Sequence, residues 1–235
     1  MRAADAIHRP VETCAVCGSK ALVPRDVLWP ELTRAWELSE DEERYVNRQQ
    51  GLHCERCKNN LRMIGLGAAI TRAAGFPGTL ADFCDSDSPI RILEVNTAGF
   101  LTQFLRRLPH HRVVEYPAFD MMALDLPSGG YDLVVHSDSL EHVADPVRGL
   151  AECRRVLRAG GQCLFTVPIV VGRLTRSRDG LARVYHGYPG CETEDQLVRT
   201  EFGADAWRFA LEAGFRSCEI EAFEYPAALT LAARK

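Results

Sequence analysis

Two Cys-x-x-Cys pairs constrain this chain more than any other feature: Cys14-Ala-Val-Cys17 and Cys54-Glu-Arg-Cys57. Four thiolates carried on two tight turns can close a tetrahedral zinc site with no open position. The spacing therefore predicts that Cys14, Cys17, Cys54 and Cys57 hold one structural zinc ion in a small unit over residues 1–60. His53 adjoins Cys54 and could replace one thiolate, although the paired spacing favours four cysteines. Ser39 followed by Glu40, Asp41, Glu42 and Glu43 is a helix-start signal, so a helix is expected between the two knuckles. The chain holds nine cysteines, an odd number, and five are isolated. Metal spacing plus scattered thiols fits a reducing compartment, and a cytoplasmic location is expected. Met1 to His8 lacks the apolar core of a signal peptide, and no run of 18 apolar residues predicts a membrane span.

Length and pattern add a second unit. A chain of 235 residues accommodates one α/β domain plus a small appendage. Residues 61–87 read as a helical connector, with Leu61, Ile64, Leu66, Ala68, Ala69 and Ile70 at helical spacing and Gly75-Phe-Pro-Gly78 ending the run. Strand and helix signals alternate over residues 88–235. Strands are expected at 90–95, 112–116, 131–136, 162–168, 215–223 and 229–233, and helices at 100–108, 145–157 and 204–213. That alternation implies a doubly wound, Rossmann-like parallel sheet. The net charge of -4 argues against a general nucleic-acid binder. Arg173, Arg176, Arg178 and Arg183 cluster in one segment. They are either a solvated loop or a grip on an anionic substrate.

Tyr131-Asp-Leu-Val-Val-His-Ser-Asp-Ser-Leu-Glu-His-Val143, Arg154-Arg-Val-Leu-Arg-Ala-Gly-Gly161 and Phe165-Thr-Val-Pro168 together resemble class I S-adenosylmethionine-dependent methyltransferases, of the type 11 kind. The resemblance covers roughly residues 88–235. The cysteine extension resembles N-terminal units on some methyltransferases of surface-polysaccharide and natural-product clusters. The resemblance implies S-adenosyl-L-methionine as cofactor at the carboxyl ends of the strands. It assigns to that site Glu94 and the turn Asn96, Thr97 and Gly99, then Glu115 for the ribose, Asp120 for the adenine, and His136, Ser137 and Asp138 after the fourth strand. This sequence departs from the family's Glu-x-Gly-x-Gly turn, since Asn96 stands at the first glycine. It also leaves only four residues between Glu115 and Asp120, too few for the usual helix. The Asp138-x-x-Glu141-His142 run either caps and orients its loop or, as in a few relatives, holds a divalent cation.

Methyl transfer requires the acceptor to be held in line, and a hydroxyl acceptor also needs a base. Histidine suits that role, which makes His186 in Arg183-Val-Tyr-His-Gly187 the first candidate and His136 the second. Residues 173–190 are expected to cover the acceptor. The reading is a methyltransferase for a small molecule or sugar, with O-methylation in polysaccharide or natural-product biosynthesis and no membrane partner. Two alternatives stay open: an RNA methyltransferase gripping RNA with the zinc unit, and a non-catalytic scaffold that binds cofactor or zinc.

Overall fold

A computed structural model describes residues 10–187, 190 and 192–235. The first strand, β1 (Leu22–Val23), pairs antiparallel with β2 (His53–Cys54), and between them lie α1 (Pro30–Ala35) and α2 (Glu40–Gly51). Ser39 and Glu42 form the reciprocal capping box that the sequence signals at the start of α2. The helix α3 (Leu61–Ala73), N-capped by Asn60, leads into α4 (Leu80–Cys84).

The main sheet begins with β3 (Ile92–Val95), followed by α5 (Thr102–Leu105), β4 (His111–Val114), β5 (Tyr131–Ser137), α6 (Pro146–Val156) and β6 (Leu157–Thr166). An insertion then carries β7 (Ile169–Val170), β8 (Arg176–Ser177) and β9 (Thr200–Gly203), a small sheet in the order β7-β9-β8. The helix α7 (Trp207–Glu212) and strands β10 (Ser217–Glu224) and β11 (Ala228–Arg234) complete the chain. The six-stranded order is β10-β11-β6-β5-β3-β4. Strands β3 to β6 run parallel, whereas β11 lies antiparallel between β6 and β10. The fold is Rossmann-like, and the wholly parallel sheet expected from sequence is corrected to a mixed one. The physical reason is the short Tyr225–Ala227 turn, which can only return the chain antiparallel.

The strands of β3 are buried on both faces, as expected for a parallel sheet covered by two helical layers. Leu93, Val95, Val134 and Phe165 pack with Leu150, Cys153 and Val156 of α6 on one face. Ile92, Leu133, Val135 and Leu164 pack with Ile64, Leu66 and Ile70 of α3 on the other. Cys14, Val16, Cys54 and Cys57 belong to that second cluster, so packing runs straight from the cysteine unit into the sheet. The helix expected at 100–108 is mostly one turn of 3-10 helix plus the single turn of α5. The Arg158-Ala-Gly-Gly161 stretch, expected to stop α6, is already strand; a Cβ at Gly161 would stand 2.9 Å from the Asp132 carbonyl oxygen.

No helix or strand forms over residues 115–130, as the short spacing implied. Arg155 holds this loop in place. Its guanidinium donates to the carbonyls of Leu124 and Leu126, each at 2.7 Å, and to Glu152. Glu152 in turn accepts from the Leu124 N–H. Replacing Arg155 by Ala leaves two carbonyls and a carboxylate to find other partners, and a loss of roughly 2–3 kcal/mol is expected. Denaturant titration checks this. The hydrogen bond from Arg155 holds the Glu152 carboxyl below its usual range. A depressed folded-state value contributes stability above the unfolded value of about 4.3 and loses it as pH falls through the folded one. Glu152→Gln should therefore flatten the stability curve below about pH 4.

Candidate active site and cysteine cluster

Parallel strands deliver their following loops to one edge of the sheet. After β3 the chain moves to β4 on one side and then to β5 on the other, so the crevice opens at the carboxyl ends of β3 and β5. A cavity of about 1090 Å³ occupies that position. Asn96, Thr97 and Gly99 line it from the β3 turn, Glu115 and Asp120 from the β4 loop, and Ser137 and Asp138 from the β5 turn. Seven of the nine residues assigned to the cofactor by sequence therefore share one cavity.

The other two do not reach it. Glu94 is fully buried beneath the turn. Its Oε1 accepts from the Ala98 N–H at 2.7 Å and the Thr102 hydroxyl at 2.6 Å, and its Oε2 accepts from His111 Nε2 at 2.8 Å. Glu94 is a positioning residue for the turn. His136 is also fully buried, with its ring stacked on Phe165 at 4.9 Å. Burial lowers its pKa to about 3. A ring enclosed in the core can neither touch a cofactor nor take a proton from an acceptor, so both assignments of His136 are corrected. The alternation of β5 explains the miss: His136 points to the α6 face, and only the residues beyond it reach the edge.

Asn96 adopts φ +56° and Asp138 φ +48°, left-handed conformations rare for residues with side chains. Asn96 sits where a glycine was expected because its amide ties three loops together. Its Nδ2 donates to Ser139 Oγ at 3.1 Å, and its Oδ1 accepts from the Tyr116 N–H at 3.0 Å. Asparagine tolerates this backbone region better than most residues. Gly99 (φ +54°) has open space where a Cβ would stand.

Sequence reasoning missed the opposite wall. Gln50, His53, Asn59, Asn60 and Met63, all before residue 64, face the same cavity. Arg62 lies just behind them, almost fully buried, and pairs with Asp138 and with Gln50 Oε1. An arginine within the otherwise apolar Leu61–Ile70 run was the available signal. The insertion contributes Glu194, Gln196 and Arg199 to the wall, rather than the 173–187 stretch. The part of the expected acceptor cover at 188–189 lies outside the described residues. Three of the four arginines tie the insertion to its own neighbours and Arg183 is an exposed ion pair, which argues against the anionic-grip alternative. Arg173 donates to the Trp36 carbonyl and pairs with Glu42, Arg176 and Arg178 pair with Glu201, and Arg183 pairs with Glu194.

His186 is the third correction. It does not line the cavity. Its ring packs against Trp36 at 5.1 Å and His142 at 5.0 Å, with Nδ1 3.7 Å from Glu141 Oε1. Burial pushes its pKa well below the usual range. His142, which does line the cavity, donates from Nδ1 to the Leu197 carbonyl at 3.0 Å.

At the other end of the unit the four cysteines converge. Cys14 Sγ lies 3.6 Å from Cys57 Sγ, and Cys17 Sγ 3.6 Å from Cys54 Sγ, with all four sulfurs within 4.8 Å of one another. Tetrahedral zinc with bonds of about 2.3 Å would hold its sulfurs about 3.8 Å apart. The two knuckles share one geometry. Gly18 donates to the Cys14 carbonyl and Lys58 to the Cys54 carbonyl, each at 2.8 Å, and both adopt left-handed backbone. No disulfide forms among the described cysteines.

The family described as a methyltransferase domain matches residues 77–165. A curated relative, an uncharacterised 37.1 kDa transposon protein of Streptomyces fradiae, is 33% identical over 144 residues. That match spans 59% of this chain and 41% of the relative. Among solved structures, the 1,6-didemethyltoxoflavin N1-methyltransferase of Burkholderia thailandensis, solved with that compound and S-adenosylhomocysteine, is 15% identical. It covers 91% of this chain and 94% of its own, with a TM-score of 0.45. An S-adenosylmethionine-dependent methyltransferase of Mesorhizobium loti is 15% identical over 63% of this chain and 92% of its own, with a TM-score of 0.39. Within residues 77–165 the chain thus carries a methyltransferase domain match on a Rossmann-like sheet. Among the described residues no helix is long and apolar enough to cross a membrane.

Proposed function

We propose that the chain is an S-adenosylmethionine-dependent methyltransferase for a small-molecule or sugar hydroxyl, with a structural zinc ion in the cysteine unit. One observation carries the reading: the loops after β3, β4 and β5 meet at the strand-order switch and line one cavity. S-adenosylmethionine bound there supplies a methyl group already activated by its sulfonium. The residues fit that group. Glu115 is an exposed carboxylate just beyond β4, placed to accept from ribose hydroxyls. Asn96, Thr97 and Gly99 offer a backbone turn with open space above it. Asp120 accepts from the Met122 N–H with Oδ1 at 2.8 Å and lines the same cavity, which supports its role as the adenine contact.

The acceptor occupies the remaining volume, against Gln50, Asn59, Asn60 and His142. These groups donate and accept hydrogen bonds, which suits a polyhydroxyl compound and supports the sugar-like class. His142 lines the cavity beside the β5 turn and is the candidate to receive an acceptor proton. The cysteine set supports zinc by its donor chemistry and sulfur spacing. Cytoplasmic placement is part of the same proposal and rests on the free thiols.

Transfer of labelled methyl to a panel of hydroxyl compounds tests the reading. Wild-type protein should label at least one acceptor, and a His142→Ala variant should turn over at least tenfold more slowly with cofactor affinity nearly unchanged. Labelling of RNA alone, or of nothing while the cofactor binds, would contradict it.

A further inference from the structure

The cavity wall built from residues before 64 carries two cations and no acid. Arg25, His53, Lys58, Asn59 and Asn60 line it there, whereas the carboxylates around the cavity come from the sheet edge and the insertion. Arg199, which also lines the cavity, lies 3.7 Å from Glu194. Among the described residues the exposed side chains of Arg25 and Lys58 have neither an ion pair nor a hydrogen bond. Their backbones are held beside one another. The Arg25 N–H donates to the Gly51 carbonyl at 3.2 Å and the Lys58 N–H to the Cys54 carbonyl at 2.8 Å, so both flank the Gly51–Cys54 stretch. Gly51 permits the first approach, since a Cβ there would stand 1.8 Å from the Arg25 carbonyl oxygen. Lys58 also occupies a place where the other knuckle has glycine. Gly18 follows Cys17 at φ +74°, and Lys58 follows Cys57 at φ +63°. A side chain in that left-handed region is strained, and strain kept at a cavity wall points to a use for the ammonium group.

We infer that Arg25 and Lys58 hold a phosphoryl group of the acceptor, so that the substrate is a phosphorylated sugar or polyol rather than a neutral one. The inference deepens the methyltransferase reading and rests on it for the word acceptor. A guanidinium offers a planar fork of N–H donors and an ammonium a compact point charge. Two positive charges match a phosphate, which carries about -1.5 to -2 at pH 7, better than they match a single carboxylate. Asn59, fully buried beside Lys58, supplies a neutral partner on the same wall. Its Nδ2 donates to the Cys57 carbonyl at 3.3 Å and lies 3.5 Å from Cys57 Sγ, while its Oδ1 has no partner. A buried amide oxygen without a partner is rare, and a hydroxyl of the same acceptor would satisfy it. The second cysteine knuckle thus serves as a wall for the acceptor as well as a fold element. Balancing the charge of the four thiolates is the competing role for Lys58, and zinc retention reads that role directly.

Calorimetric titration of glucose 1-phosphate, inorganic pyrophosphate, glucuronate and glucose into full-length, zinc-loaded protein tests this, with and without S-adenosylhomocysteine. At least one of the two phosphate probes should bind, and which binds more tightly separates a phosphate monoester from a diphosphate. Glucose and glucuronate should bind roughly tenfold or more weakly than the better phosphate probe. Lys58→Gly removes the ammonium and relieves the backbone, so it should fold, keep its zinc and lose roughly tenfold or more of the phosphate affinity. Arg25→Gln should show a similar loss. Failure of both phosphate probes to bind, undiminished phosphate binding in both variants, or glucuronate bound as tightly as the phosphate probes would each overturn the inference. So would loss of zinc from Lys58→Gly with phosphate affinity unchanged, or an equal fall of S-adenosylhomocysteine affinity in both variants, which would give the cations to the cofactor. Failure of S-adenosylhomocysteine to bind the wild type would instead remove the methyltransferase reading, whatever the phosphate probes show.

Discussion

Cys54→Ser should release the zinc and lower the thermal midpoint by about 10 °C or more. The size follows from linkage. A structural zinc ion contributes its binding free energy to folding, of order 10 kcal/mol in isolated zinc peptides. A whole domain is stable by only about 5–15 kcal/mol. Even a third of that contribution, at about 2–4 °C per kcal/mol for a chain of this size, gives the stated shift. The loss should not stop at residue 60. Cys14, Val16, Cys54 and Cys57 pack in one cluster with Leu80, Leu101 and Ile92. The Leu80 and Ala81 N–H groups also donate to the carbonyls of Ala15 and Val16. Hydrogen exchange should therefore rise in α3 and α4 as well as in residues 10–60, and elemental analysis should show the zinc gone. Full zinc retention, or an unchanged midpoint, would remove the structural role.

Glu94→Ala is the second large effect, and it couples the core to the site. The side chain is fully buried and accepts from Ala98 N–H, Thr102 hydroxyl and His111. Removing it leaves two or three buried donors unpaired, at about 1–3 kcal/mol each. A loss of roughly 3–5 kcal/mol is expected, with a cavity where the side chain stood. The turn over residues 96–99 loses its anchor, so cofactor affinity should fall at least tenfold. Glu94→Gln should cost less than half as much. Its carbonyl can serve Ala98 and Thr102 while its amide donates to the other tautomer of His111. Chemical denaturation together with ligand titration of both variants checks this ordering; equal losses in the two would show that the accepted bonds do not carry the effect.

Much of this was legible in the sequence because it was written in local pattern. The Ser39–Glu42 box, the Asp145 cap of α6 and the β3 and β5 strands depend on neighbours along the chain, and they fall within a few residues of expectation. The cavity edge was legible for the same reason: a residue that follows a parallel strand must lie at the sheet's carboxyl end. Two kinds of feature were not. One is facing direction, which puts His136 into the core and Glu94 under the turn although both sit on the expected strands. The other is long-range contact. Nothing local says that Arg62 meets Asp138, that Gln50 and Asn60 wall the cavity of a sheet beginning 30 residues later, or that His186 turns toward Glu141. The antiparallel β11 is a different case: the short turn after β10 is local and dictates a hairpin, but the alternation of strands and helices reads as parallel throughout.

Calorimetric titration of S-adenosylhomocysteine into the wild type and into Glu115→Ala tests the central reading most directly. The expected result is one molecule bound per chain by the wild type, with affinity at least tenfold weaker in Glu115→Ala and an unchanged melting temperature for the unliganded variant. Undiminished binding in the variant would move the ribose contact away from Glu115. Absence of binding to folded, zinc-loaded wild type would contradict the assignment of this cavity to the cofactor altogether.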